Sequence, residues 1–121
     1  MTAYVTGLQF DKQHAITVVA TAPVQPHRFV SYSGAHASTS SLVQCISETA
    51  AETGDAFSGV TGYSYPVEAS QALILGDYVK PASDGSGRAA KGIATDHCAR
   101  ALHAVAPGRN VECELVHRIT E

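Results

Sequence analysis

The stretch LGDYVKPASDGSGRAAKG, Leu75 to Gly92, reads either as a cradle for phosphate or as the tip of a hairpin. A P-loop needs G-x-x-x-x-G-K-[ST], and no Ser or Thr follows Lys91 to hold a magnesium ion. The dinucleotide fingerprint G-x-G-x-x-G is missing too, because Gly85, Gly87 and Gly92 have the wrong spacing. What remains is Asp84-Gly85 between two extended runs, which is a hairpin signal. The charges of this tip keep it in water, and its glycines supply the turn.

The rest of the chain extends the same reading in both directions. In HAITVVATAP, Ile16, Val18 and Ala20 alternate with Thr17, Val19 and Thr21, as in a strand. Pro23 and Pro26 interrupt it, and HRFVSYSG forms a second strand closed by Gly34. The run AFSGVTGYSYPVEA alternates again. Its glycines suggest bulges or close backbone approach, and Pro66 suits an edge strand. NVECELVHRI places Val111, Cys113 and Leu115 on one face. Residues 41–53 and 95–106 fit two periods. Leu42, Ile46 and Ala50 have helical spacing, while Val43, Cys45 and Ser47 alternate. Asp96 could cap a helix bearing Ala101, Leu102 and Val105. TAAETGDAF (Thr49–Phe57) echoes HAVAPGRNV (His103–Val111) at a spacing of 54. Either two similar connections in one sheet or chance in an alanine-rich chain produces such an echo, and the period supports no solenoid.

The fold expected is mainly β: a small single-domain β-barrel or β-sandwich-like fold with one or two short helical turns. An extended N-terminal arm, residues 1–13, precedes a β-rich domain over 14–121. At 121 residues the chain suits one domain with a modest core. Charged residues make up 16% and the formal net charge is −3, without the basic face of a nucleic-acid binder. No apolar run approaches the roughly 20 residues of a membrane span. Three cysteines, an odd count with no secretory signal at the start, predict free thiols made and folded in a reducing cytoplasm.

Chemistry finds little purchase. Cys98, His103, Cys113 and His117 lack the paired spacing of a zinc module. On an extended strand Cys113 and His117 stand about 13 Å apart. Asp96, His97 and Cys98 adjoin in sequence, whereas a Cys–His pair works through space. Glu48 and Glu52, and Glu112 and Glu114, read as solvated or interfacial carboxylates. No catalytic, metal or cofactor residue is assigned. The competing readings are a small cytoplasmic Cys/His enzyme or metal-binding module built on His97, Cys98 and His103, and a β-barrel ligand binder.

One pattern remains. ITVVATAPV…HRFVSYSG, then GYSYPVEASQALILGDYVKPASDGSGRA, then GIATDHCARALHAVAPGRNVECELV resembles, in that order, the decoration proteins of tailed-phage capsids, also called cement or head-stabilising proteins. The phrases that carry the resemblance are Pro66-Val67-Glu68-Ala69, Gly76-Asp77-Tyr78-Val79, Asp84-Gly85, and Ala101-Leu102 through Leu115. Two features depart from it: the cysteines and histidines are many, and a GSG insert follows Asp84. The resemblance implies a virion structural protein, not an enzyme, on the exterior of the bacteriophage capsid. It further implies a major capsid protein as partner, self-association as trimer or dimer, no cofactor, no nucleic acid and no membrane. The interfacial residues expected are Tyr4, Val5, Leu8 and Phe10 in the arm, and Tyr63 and Tyr65 in GYSYP.

Overall fold

A computed structural model describes residues 15–38, 41–62 and 64–116. The arm, Tyr63 and His117 lie outside the described residues. The strands are β1 (Ala15–Val19), β2 (Phe29–Ser31), β3 (Val43–Ser47), β4 (Ala56–Val60), β5 (Ser64–Glu68), β6 (Tyr78–Pro81), β7 (Ala89–Lys91), β8 (Ala99–Ala101) and β9 (Asn110–Leu115). They form two antiparallel sheets, ordered β1-β4-β3-β2 and β5-β9-β8-β6-β7. The hairpin read from Asp84-Gly85 is present: β6 pairs β7 with Pro81 opposite Ala89. Pro66 sits in the edge strand β5, where a missing N–H costs no ladder bond.

Two expectations need correction. Neither sheet closes on itself, so the molecule is no barrel; the architecture is sandwich-like. No helix occurs among the described residues. The segment 41–53 supplies β3 and a turn, and 95–106 supplies β8. Burial decides against the helix: Leu42, on the supposed apolar stripe, is 63% exposed, while the neighbours Cys45, Ile46 and Ser47 are all fully buried. Consecutive buried residues fit a strand covered on both faces.

The simple alternation read in β3 also fails at one point. Pairing runs Phe29 with Ile46 and Val30 with Cys45, then shifts so that Ser31 faces Val43. Gln44 is the extra residue of this β-bulge, and its side-chain amide donates to the Ser31 carbonyl at 3.2 Å. The bulge moves Val43 to the side of Ile46.

The echo at spacing 54 is structural, but it joins two sheets instead of lying in one. Residues of β1 and β2 have counterparts 49 positions later: Ala15 faces Val60 as Ser64 faces Glu114. Phe29 faces Ile46 as Tyr78 faces Arg100. Residues of β3 and β4 have counterparts 54 later: Ile46 faces Val60 as Arg100 faces Glu114. The isolated bridge Val24–Ala51 reappears as Leu73–Val105. Gly54 N–H donates to Ala20 O as Gly108 N–H donates to Ala69 O, and both glycines turn with positive φ (91° and 84°). The two halves therefore share one backbone plan. They differ most in the hairpin, a tight turn from Ser31 to Gly34 in the first half and a long loop from Ala82 to Arg88 in the second.

The core has two parts. Val18, Ala20, Val24, Val30, Cys45 and Phe57 pack on one face of the first sheet. On its other face Phe29, Ala37, Val43 and Ile46 join Val67, Leu73, Val79, Val111, Cys113 and the alanines of the second sheet. Strands β2 and β3 thus lie between two cores, and their outer face is the apolar floor of the second half.

Candidate functional site

The junction between the halves is built from the loop before β2 and the outer edge of β5. Alternation along β5 turns the Glu68 N–H outward, and it donates to the His27 carbonyl at 3.0 Å. His27 Nδ1 donates to the Pro66 carbonyl at 3.1 Å, and its ring stacks on Tyr65 with centroids 5.6 Å apart. His27 holds a positive φ of 60°, a conformation that histidine tolerates better than most residues. Its counterpart in the second half is Gly76, also at positive φ.

Charge closes the same junction. The Arg28 guanidinium reaches Glu68 at 3.0 Å and donates to the Ser86 carbonyl at 2.8 Å. Arg88 lies 3.7 Å from Glu68 and 3.5 Å from Asp84. Hydrogen bonds from Ser86, and after them the Arg88 charge, hold the Asp84 carboxyl below the usual carboxylate range. Phe29 N–H donates to the Gly87 carbonyl at 2.7 Å. A Cβ on Gly87 would meet Phe29 O at 2.7 Å, so glycine is what lets the two chains approach. The glycine-rich loop after Asp84, the GSG insert included, is therefore a clasp onto the first half, and its Ser86 and Gly87 carbonyls accept from Arg28 and Phe29.

Among the described residues, β1 and the loop before β6 carry no such clasp. Ile16 and Val19 on β1 are exposed, as are Ile74 and Leu75 in the loop before β6. Beside that loop, Arg100 lies 4.3 Å from the Tyr78 ring centroid and donates twice to the Gly76 carbonyl. His97 packs against the other part of the Tyr78 ring, with centroids 4.6 Å apart. Cation–π contact from Arg100 and the tilted packing of His97 leave this small cluster half exposed.

The residues tested for chemistry are engaged elsewhere. Asp96 pairs with Lys80 at 3.2 Å and accepts from Ile93 N–H, and His97 Nδ1 donates to the Ala94 carbonyl. His103 uses both ring nitrogens, Nδ1 toward Ala104 O and Nε2 accepting from Glu112 N–H. Burial raises the Cys45 thiol to about 12, and burial raises Cys113 as well. Both thiols stay protonated and behave as small hydrophobes. No group of three His, Cys, Asp or Glu side chains among the described residues is placed to hold a metal ion. The arrangement offers edges, a half-exposed aromatic cluster and apolar loops, which suit protein–protein contact.

Of the expected interfacial residues, Tyr65 lies half buried at the junction, stacked on His27. Tyr4, Val5, Leu8, Phe10 and Tyr63 lie outside the described residues. Sequence reasoning missed His27, Arg28 and Glu68. The signal available for them was the alignment of the two halves, which sets His27 against a glycine.

No family model matches the chain, and no curated protein matches it. Its fold is similar to that of the N base of the head fiber gp8.5 of bacteriophage phi29, seen in a crystal structure. The TM-score is 0.72 at 18% identity, over 88% of this chain and 97% of that one.

Proposed function

We propose that this chain is a structural protein of a bacteriophage virion that binds the outer surface of the assembled capsid and bridges neighbouring major capsid protein subunits. The observation that carries the reading is the likeness in fold, over nearly the whole of both chains, to the base of a phage head fiber. It agrees with the independent resemblance of the sequence to capsid decoration proteins. The duplicated backbone supports bridging, since one copy carries two similarly built units and so two chances to meet repeated subunits. Binding the assembled lattice in preference to free subunits stabilises the lattice by mass action, and self-association into dimers or trimers adds avidity. The arm, residues 1–13, adds contacts to the shell, and no catalysis or cofactor is involved.

Co-sedimentation with capsids made from the major capsid protein of the same genome tests the reading. The full chain binds saturably, raises the temperature at which the shells come apart, and ignores unassembled subunits. Removing residues 1–13 leaves a folded domain with weak or no binding. Failure of the full chain to co-sediment overturns the proposal, and full occupancy by the truncated chain overturns the role of the arm.

A further inference from the structure

The contact between the two halves runs in one direction only. The loop Gln25–Arg28 of the first half meets the outer edge of β5 in the second through His27 and Arg28. The corresponding loop of the second half is Ile74–Asp77, and the strand corresponding to β5 is β1. Among the described residues these two surfaces do not meet, and both carry exposed aliphatic side chains where their counterparts include Glu68 and Gln25. Tyr65 and Glu68 on β5 become Ile16 (40% exposed) and Val19 (58% exposed) on β1. Gln25 and Pro26 become Ile74 (62% exposed) and Leu75 (69% exposed). Four of the eight exposed large hydrophobic residues among the described residues thus fall at the two ends of one missing contact. Isolated exposed apolar residues need no explanation, but matched pairs on equivalent surfaces do.

We propose that the Ile74–Asp77 loop of one copy lies on the outer edge of β1 in a second copy, repeating between chains the contact made within the chain. The backbone supplies the geometry. Ala20 N–H donates to Asp55 O, so alternation along β1 turns the Val19 N–H outward, as it does for Glu68. Gly76, in the same positive-φ conformation as His27, presents its carbonyl to that N–H, on the side that the Arg100 guanidinium fork leaves open. Gly76 and Asp77 then stand opposite Ile16 and Val19, as His27 and Arg28 stand opposite Tyr65 and Glu68, and Ile74 and Leu75 flank them with apolar surface. The first half has no long hairpin to clasp the incoming loop, and burial of these four side chains takes the place of the clasp. A contact of this kind joins unlike surfaces and propagates head to tail, ending in a closed ring or an open filament. The occupant of β1 is therefore a second copy of this chain. The inference deepens the self-association proposed above and stands apart from capsid binding, because it is read on the free protein.

Native mass spectrometry and light scattering of the full chain without capsids provide the test. The wild type assembles. Val19→Glu sets a carboxylate against Asp77 of the neighbour, and Ile74→Ser/Leu75→Ser removes the apolar flank. Each variant is a monomer with an unchanged far-UV circular dichroism spectrum. Each also keeps one good surface, so mixing the two gives a 1:1 dimer that grows no further. Thr17→Pro copies Pro66, which the contact within the chain accommodates, and leaves assembly intact. A monomeric wild type, assembly that survives the loop substitutions, or a mixture that stays monomeric overturns the proposal. Loss of assembly in Thr17→Pro overturns it in favour of a continuous strand added along β1.

Discussion

The two halves of the molecule share a backbone register and differ in where they put bulk and charge. In the first half, Gly59 leaves room for the Cys45 side chain, and a Cβ at Gly59 would lie 2.3 Å from Cys45 Sγ. In the second half the equivalent pair is Cys113 and Ala99, so the sulfur has changed strands. The same exchange occurs at the surface. Arg28 of the first half, 16% exposed, finds Glu68, while the residue in its place in the second half is Asp77, turned back to accept from Ile74 N–H. A duplicated backbone keeps its hydrogen bonds, which sequence can satisfy in many ways. Its side chains drift in compensating pairs.

The largest expected effect breaks that compensation inside the core. Gly59→Ala drives a methyl group into Cys45 and costs about 3 kcal/mol, at the upper end for overpacking. Adding Cys45→Ala, which gives β3 the alanine of the second half, restores most of the loss. Urea unfolding of the two single variants and the double variant measures the coupling, and strictly additive costs would show that the halves do not share this packing. Next comes the junction. Arg28→Ala removes charge-assisted hydrogen bonds to Glu68 and Ser86 and lowers stability by about 2 kcal/mol. Chemical denaturation reads the loss, and unchanged stability would mean that the clasp is held by its backbone bonds alone.

The smallest effect is one of pH. Burial first, and the Arg28 charge second, lower the pKa of His36 from its ordinary value. The Gln25 N–H donates to His36 Nε2 at 3.0 Å, which requires that nitrogen to be unprotonated. The folded state thus binds the proton less well than the unfolded chain. The stabilisation is fully present above the unfolded value of about 6.5 and is lost as pH falls below it toward the lower folded value. Its counterpart in the second half, Lys91, is exposed. Melting midpoints measured from pH 8 to pH 5 should fall in the wild type and fall less in His36→Gln.

Much of the sheet structure was legible from alternation alone. Val18 and Ala20, and Val111 and Cys113, are inward-facing where the period of two puts them. The helical alternative at 41–53 arose because β3 is covered on both faces, and a strand without a polar side loses its two-residue signature. The bulge at Gln44 then shifted the phase, which no local pattern announces. The duplication was half visible. Its second part has a constant spacing of 54, but the longer hairpin gives the first part a spacing of 49, and over β1 to β2 only Val18 with Val67, Ala20 with Ala69 and Val30 with Val79 coincide. The junction was the least legible part. Arg28, Glu68 and Arg88 are far apart in sequence, and each alone resembles an ordinary solvated charge.

Strand β2 sends Phe29 into one core and Val30 into the other. A protein half this length would hold Phe29, Ala37, Val43 and Ile46 bare to water, an oily flank no small soluble monomer could carry. Fusing two such units in tandem hides that flank once and for all, and leaves the product unable to be cut back into independent pieces.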